Sequence, residues 1–402
     1  MLAVLALAAG AAGAVVGGAH DDEGGTAAKV PTPGRANPEE HISFLAKIVP
    51  PPAREPGGGG AAFPRKIAGV ARRLSTERKV AQLFLFGFRG TDSTSEIFGR
   101  LRRLDLGGIV VSLSNYLNQG QLSALAGEAA AVARQRRHLR PWVFASQEGG
   151  ELNSFPDLPP SAAPADLKSA ADAGKEARAS ASALRSLGVN GVLGPVLDVG
   201  ASETGSVLGA RVFSDEPEQV ARYAEETVRA YRGERVFSAV SHFPGLGATD
   251  QSTEDGPATV GLGLDELRER DLIPFRAGFG AGAPGVTIAS ALYPFNDFTV
   301  PASLSKTVDS QLLRRELKYK GVAMTDDLAD PAITALHSVP DAAVQAFRAG
   351  ADVLYISGGP GDQQAAYIAV LRAVQRGRVP RSRLNDAVGR VLLAKKAYGL
   401  IR

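Results

Sequence analysis

Two carboxylates stand side by side at the end of an apolar run, Asp326-Asp327 in GVAMTDDL (321–328). Adjacent side chains of a strand point to opposite sides, so at most one of the two is expected to face an opening that the strand borders. A carboxylate presented to such an opening suits the nucleophile of a retaining glycoside hydrolysis, which needs a second group about 5 Å away to protonate the leaving oxygen. The same residue can instead bind a metal or cap the following helix, and an isolated Asp-Asp pair does not choose among these uses. His242 ends a second apolar run, VFSAVSHF (236–243), just before Pro244-Gly245. There the chain turns sharply and a neutral imidazole can donate to a sugar hydroxyl, or else sit satisfied in the core. Glu148-Gly149-Gly150 follows a third run, WVFASQ (142–147), and its glycines permit close backbone approach.

Other chemistries are excluded by what the chain lacks. It has no Cys, which removes disulfides, thiolate metal sites and a cysteine nucleophile. The five His, at 20, 41, 138, 242 and 337, are too scattered to define a zinc site. No P-loop or GxSxG pattern occurs, Gly107-Gly108 lacks dinucleotide-binding spacing, and no cofactor is expected. Forty-five Lys+Arg against 42 Asp+Glu leave a net charge of +3 on 402 residues, too small and too mixed an excess to imply a nucleic-acid partner.

The elements that must position these residues alternate. Eight short runs rich in β-branched and aromatic residues recur at 83–88, 107–113, 142–147, 189–199, 236–243, 285–294, 321–328 and 351–357. Between them lie windows with apolar residues at intervals of three and four, such as QLSALAGEAAAVARQRR and EPEQVARYAEETVRAYRGE. Strands apolar on both faces, each followed by a helix, specify a parallel sheet with its outer face covered. Eight such units over residues 66–402 predict an α/β fold of the (β/α)8 barrel type, with an open doubly wound sheet as the competing arrangement. Chemistry in this fold sits at the C-terminal strand ends. Read that way, the rim carries Ser146-Gln147-Glu148, Asp198, Ser241-His242, Tyr293-Pro294 ending the sixth strand, and Asp326-Asp327. A single amphipathic helix from about Ala68 is expected to lead into the first strand.

Ahead of the barrel, residues 2–19 form an uncharged apolar stretch, read as a signal peptide or membrane anchor. Residues 20–65, rich in Pro, Gly and charge, read as a flexible linker. The expectation is an extracytoplasmic protein, secreted or anchored, that meets the membrane only through its N-terminal segment.

The order of motifs resembles glycoside hydrolase family 3, in particular its single-barrel bacterial β-N-acetylglucosaminidases. The pieces are QEGG (147–150), LGVNGVLGPVLDV (187–199), RVFSDEPEQVARYA (211–224), SHFPGLGAT (241–249), ERDLIPFRAGFGAG (269–282), YKGVAMTDDL (319–328), AFRAGADVLYIS (346–357) and RLNDAVGRVLLAKKAYGL (383–400). The resemblance implies that Asp326 is the nucleophile and that Arg211 and His242 hold the sugar. It also marks departures: Ser146 stands where the family has Asp, Glu151 where it has Arg, Ser241 where it has Lys, and Leu246 where it has a second His. The family's acid/base His aligns with Glu254, and the His at the sixth strand end with Ser290. Ser146, Ser241 and Asp198 are therefore expected at the sugar site, and Glu254 as acid/base. The implied partner is a carbohydrate, peptidoglycan fragments included, bound by a monomer. The competing implication is an inactive barrel that binds a glycan or a protein.

Overall fold

The computed structural model describes residues 63–200 and 207–401. The readings of residues 1–19 and of 20–62 therefore lie outside the described residues. Among the described residues no helix is long and apolar enough to cross a membrane.

All eight apolar runs contain a strand: β1 (Phe84–Phe86), β2 (Gly108–Val111), β3 (Trp142–Ala145), β4 (Gly191–Val196), β5 (Phe237–Phe243), β6 (Gly285–Ile288), β7 (Val322–Thr325) and β8 (Leu354–Ile356). Every ladder is parallel, and the sheet order runs β7-β6-β5-β4-β3-β2-β1-β8. The pairing of β1 with β8, and a parallel bridge from Met324 to Val353, close the ring as a (β/α)8 barrel. Helices such as Gln119–Arg136, Pro217–Gly233 and Pro360–Gln375 cover the outside.

The barrel interior is filled rather than open. Leu85, Val110, Phe144, Phe237 and Met324 pack with Trp142, whose ring centroid lies 5.3 Å from that of Phe237. Gly191 starts β4 because a Cβ there would stand 2.7 Å from the Phe144 ring. The floor holds a buried ion cluster: Asp352, fully buried, is 2.7 Å from Arg314, 2.8 Å from Arg390 and 3.3 Å from Arg383. Burial alone would raise this carboxyl, but the three guanidinium groups hold it below its ordinary value.

Two expectations need correction. The leading amphipathic segment is two helices, Arg65–Arg73 and Thr76–Ala81, because Ser75 adopts extended backbone and its hydroxyl accepts from the Arg78 N–H at 3.3 Å. The sixth strand ends at Ile288 and not at Tyr293-Pro294. The apolar run continues only because its backbone is used elsewhere. Leu292 N–H donates to Ala258 O at 2.8 Å and Leu292 O accepts from Val260 N–H at 2.9 Å, tying this stretch to the loop after β5.

Candidate active site

The strand ends converge on a cleft of about 190 Å³ at the C-terminal mouth of the barrel. Ser146, Arg211, Ser241, His242, Glu254 and Asp326 all line it, together with Glu148, Thr287, Thr325, Asp327, Asp330 and Tyr355. Six of the seven residues expected at the site are thus brought together.

The seventh, Asp198, is fully buried behind the cleft wall. Its carboxylate accepts from His242 Nδ1 at 2.7 Å, from the His242 backbone N–H at 3.1 Å and from the Leu246 N–H at 2.7 Å. The structure therefore makes it the residue that orients His242, with no face left for a sugar. The reason lies in the path of the chain, since residues past β4 pass beneath the turn after β5, where three donors converge on one carboxylate. Burial works against a charge on His242, yet Asp198, its hydrogen bond and Asp326 together push the imidazole above its ordinary value. With Nδ1 committed to Asp198, Nε2 is the nitrogen left for a ligand.

Arg211 and Glu148 form a bidentate pair. The guanidinium donates through Nε and Nη2 to the two carboxylate oxygens, each at 2.8 Å, and Ser146 Oγ donates to Glu148 Oε1 at 3.2 Å. Burial disfavours the Arg211 charge, but Glu148, with help from Asp198 and Asp326, raises the group above its ordinary value. Gln147 faces away and builds the loop, donating to the carbonyls of Phe155, Leu158 and Pro159. Gly149, at φ +128°, lets that loop close, since a Cβ there would fall 2.1 Å from Ala162 O.

Asp326 and Asp327 do not divide between two faces as the strand alternation predicted. β7 stops at Thr325, so both lie in the turn beyond it and both border the cleft. They differ in engagement. Asp327 is buried and its Oδ1 accepts from the backbone N–H groups of Ala329 and Ser357, each at 2.9 Å. Asp326 is half-buried, is anchored through its N–H to Ile288 O at 3.0 Å, and presents a carboxylate that accepts no hydrogen bond among the described residues.

Glu254 is exposed at the tip of the loop after β5. That loop is closed at its base by pairing of Thr249 with Val260, and its tip is pinned by the Ala332 N–H, which donates to Thr253 O at 3.0 Å. Ser290 is fully buried against Ser303 and away from the cleft, and Glu151 is exposed outside it. Sequence reasoning put Glu148 on the rim but gave it no role in the site, and it missed Asp330 and Tyr355. Tyr355 follows the alternation of β8, a signal within reach; Asp330 precedes a proline and reads as a helix cap.

The fold and this mouth define a class: a (β/α)8 barrel with carboxylates gathered at its C-terminal strand ends. Residues 75–394 match the Glycosyl hydrolase family 3 N terminal domain, and the chain belongs to that family. It is 30% identical over 284 residues to a beta-hexosaminidase of Stenotrophomonas maltophilia, covering 68% of this chain and 83% of that one. It is likewise 30% identical over 279 residues to Beta-hexosaminidase A of Pseudoalteromonas piscicida, covering 64% of this chain and 47% of the relative. The chain thus spans about half the length of that relative. Among solved structures, a glycoside hydrolase family 3 beta-N-acetylglucosaminidase from a Paenibacillus species aligns with a TM-score of 0.78 at 32% identity, covering 81% of this chain and 63% of that one.

Proposed function

We propose that the protein is an exported, monomeric, retaining β-glycosidase of the β-N-acetylhexosaminidase type that acts on cell-wall sugars. The observation that carries this reading is Asp326, an unengaged carboxylate at the end of β7, in one cleft with the Arg211–Glu148 and His242–Asp198 pairs. In the first step an Asp326 oxygen bonds to the anomeric carbon as the glycosidic C–O bond breaks, and the departing oxygen takes a proton from the acid on the opposite side. In the second step water attacks the same carbon, yields its proton to that group, and returns the ester electrons to Asp326. Glu254, on the loop over the cleft, is the acid/base in this reading. Arg211, His242, Ser146 and Ser241 supply donors for sugar hydroxyls. The likeness to beta-hexosaminidases supports an N-acetylated β-hexosaminide as substrate. The uncharged segment 2–19 ahead of an acidic, Pro/Gly-rich stretch supports export.

Turnover of aryl N-acetyl-β-glucosaminides by the wild type, and its loss in Asp326→Asn, is the test. A wild type inactive on a panel of aryl β-glycosides that still binds a glycan or a protein would establish the inactive barrel instead. Fractionation that finds the full-length chain in the cytosol would remove the export.

A further inference from the structure

The two ends of the barrel carry opposite charge. The segments that leave β3, β4, β5 and β7 at the mouth are dominated by Asp and Glu, and they supply every carboxylate of the cleft. At the base, where the chain enters the strands, Arg137, Arg140, Arg235, Lys318 and Lys320 are exposed, while Asp105 and Asp352 are buried and paired with arginines. The small net charge of the chain thus hides two poles. The base is sealed by the final helix, Arg381–Ala397, whose Lys395 reaches Gln82 ahead of β1 and whose Arg390 reaches Asp352 ahead of β8. The helix Arg65–Arg73 lies on that seal, with Phe63 over Gly389, where a Cβ would strike its ring. It contains no acidic residue. Its Arg65, Lys66, Arg72 and Arg73 are exposed, and none of their side chains makes a hydrogen bond or ion pair among the described residues. Helix dipoles account for part of this pattern, since the barrel helices end at the base and cations suit their C-termini. They do not account for Arg65 and Lys66, which stand in a first turn, where the macrodipole opposes them. Between this helix, the segment ahead of β3 and the last residues of the chain lies a groove of about 420 Å³. Leu139, Leu400 and Ile401 give it apolar lining, Arg73, Arg78 and Arg140 bring guanidinium groups, and no carboxylate lines it. Arg78 is engaged by Asp105 at 2.8 Å, which leaves Arg73 and Arg140 without a partner among the described residues.

We propose that the base of the barrel, from this groove across the helix Arg65–Arg73, is a docking surface for an anionic phospholipid bilayer that holds the mouth turned away from the membrane. Clustered Lys and Arg are drawn to an anionic leaflet and the acidic mouth is repelled by it, so the two poles together select one orientation. Headgroup phosphates would take the free guanidinium groups of Arg73 and Arg140. A bilayer fits this face better than a soluble polyanion does. The groove joins cations to apolar surface, and Leu393 is exposed on the sealing helix, as contact with both headgroups and acyl chains requires. The chain also enters the fold at this face, downstream of the uncharged apolar segment 2–19. The inference does not depend on the catalytic reading above.

The test measures sedimentation of the full-length chain with vesicles of phosphatidylcholine alone and of phosphatidylcholine with phosphatidylglycerol, at low and high salt. Residues 2–62 are the same in every variant, so their own contribution cancels in the comparison. At low salt the wild type is expected to bind the anionic vesicles about 10²-fold more tightly than the neutral ones, an advantage that shrinks at high salt. The variant Arg65→Gln/Lys66→Gln/Arg73→Gln/Arg140→Gln should bring that advantage down to a few-fold. These side chains are exposed and Gln is a good helix former, so thermal unfolding should be unchanged. Arg73→Gln/Arg140→Gln, a milder change, should lose about tenfold and keeps the proposal testable if the fourfold variant fails to fold. Arg89→Gln/Lys168→Gln removes two exposed cations from the mouth and should bind as the wild type does. No gain from phosphatidylglycerol, a gain that survives in the folded base variants, or an equal loss in the mouth variant overturns the proposal. Capture of soluble polyphosphate without any gain from phosphatidylglycerol overturns it in favour of a soluble polyanion.

Discussion

The two walls of the cleft treat charge in opposite ways. On the wall built by β3, β4 and β5, each carboxylate is matched: Glu148 to both arms of Arg211, Asp198 to His242 and two backbone donors. On the wall built by the end of β7 and the loop after β5, Asp326, Asp327, Asp330 and Glu254 gather without an ion pair among the described residues, and Asp326 alone is near enough to act on Arg211 and His242. Matched charges fix geometry, because moving either partner strands the other in a poorly solvated place. Like charges gathered in a half-buried place disfavour ionisation, and burial with Asp326, Asp327 and Glu254 pushes the Asp330 carboxyl up to about 9. In the proposed reading, one wall holds a sugar ring in place and the other reacts with it.

The contrast can be broken from either side. The largest effect should come from the reactive wall, where Asp326→Asn removes turnover by several orders of magnitude. Thermal unfolding should hold or rise slightly, since a like charge is removed from its neighbours. On the matched wall Asp198→Ala leaves buried donors of His242 and Leu246 unanswered, and a stability loss of about 3–5 kcal/mol is expected in denaturant titration. Arg211→Met strands Glu148, whose side chain is nearly buried but keeps Ser146 Oγ as a donor, so about 1–3 kcal/mol is expected, together with a rise in KM for any substrate that still turns over. The smallest effect is a slope. Asp330 binds a proton in the folded state that the unfolded chain releases above the ordinary value of 3.8, so its contribution is complete below that pH. It is then lost progressively as pH rises toward about 9. Melting temperatures of Asp330→Asn should therefore fall less steeply than those of the wild type between pH 5 and 9, with the variant more stable by a few degrees at the alkaline end. Equal slopes would place the Asp330 titration at its ordinary value.

Much of this was legible in the sequence, and the failures share a cause. Strand positions followed from apolar runs because a parallel sheet buries both faces, and strand-end logic then brought Asp326, His242 and Glu148 to one rim. The sixth strand was overread because residues 289–291 are as buried as a strand, while the carbonyls of Ala289 and Ala291 accept from Ser303 and Ala302 and Leu292 pairs with the loop after β5. Asp198 sits at a strand end like the others, yet it is enclosed by donors from the turn after β5 that no local pattern announces. Asp330 is the plainest instance. Asp-Pro before an apolar residue reads as a cap, and the local rule fails because Thr253, far upstream, supplies the acceptor in its place. What the sequence hides is competition for backbone hydrogen bonds between segments that meet only in the fold.

The ion cluster on the barrel floor has a consequence for the order of folding. Two of the three arginines that neutralise Asp352, Arg383 and Arg390, lie on the final helix, Arg381–Ala397. Lys395 on the same helix reaches Gln82 at 2.7 Å, beneath the first strand. β1 gains its second neighbour only when β8 arrives, so the sheet has two open edges until nearly the whole chain is available. Closure is thus a late, long-range event, of the kind that makes folding slow and exposes apolar edges meanwhile. A chain cut before Arg381 would keep every residue of the cleft and still lack the clasp that shuts the ring.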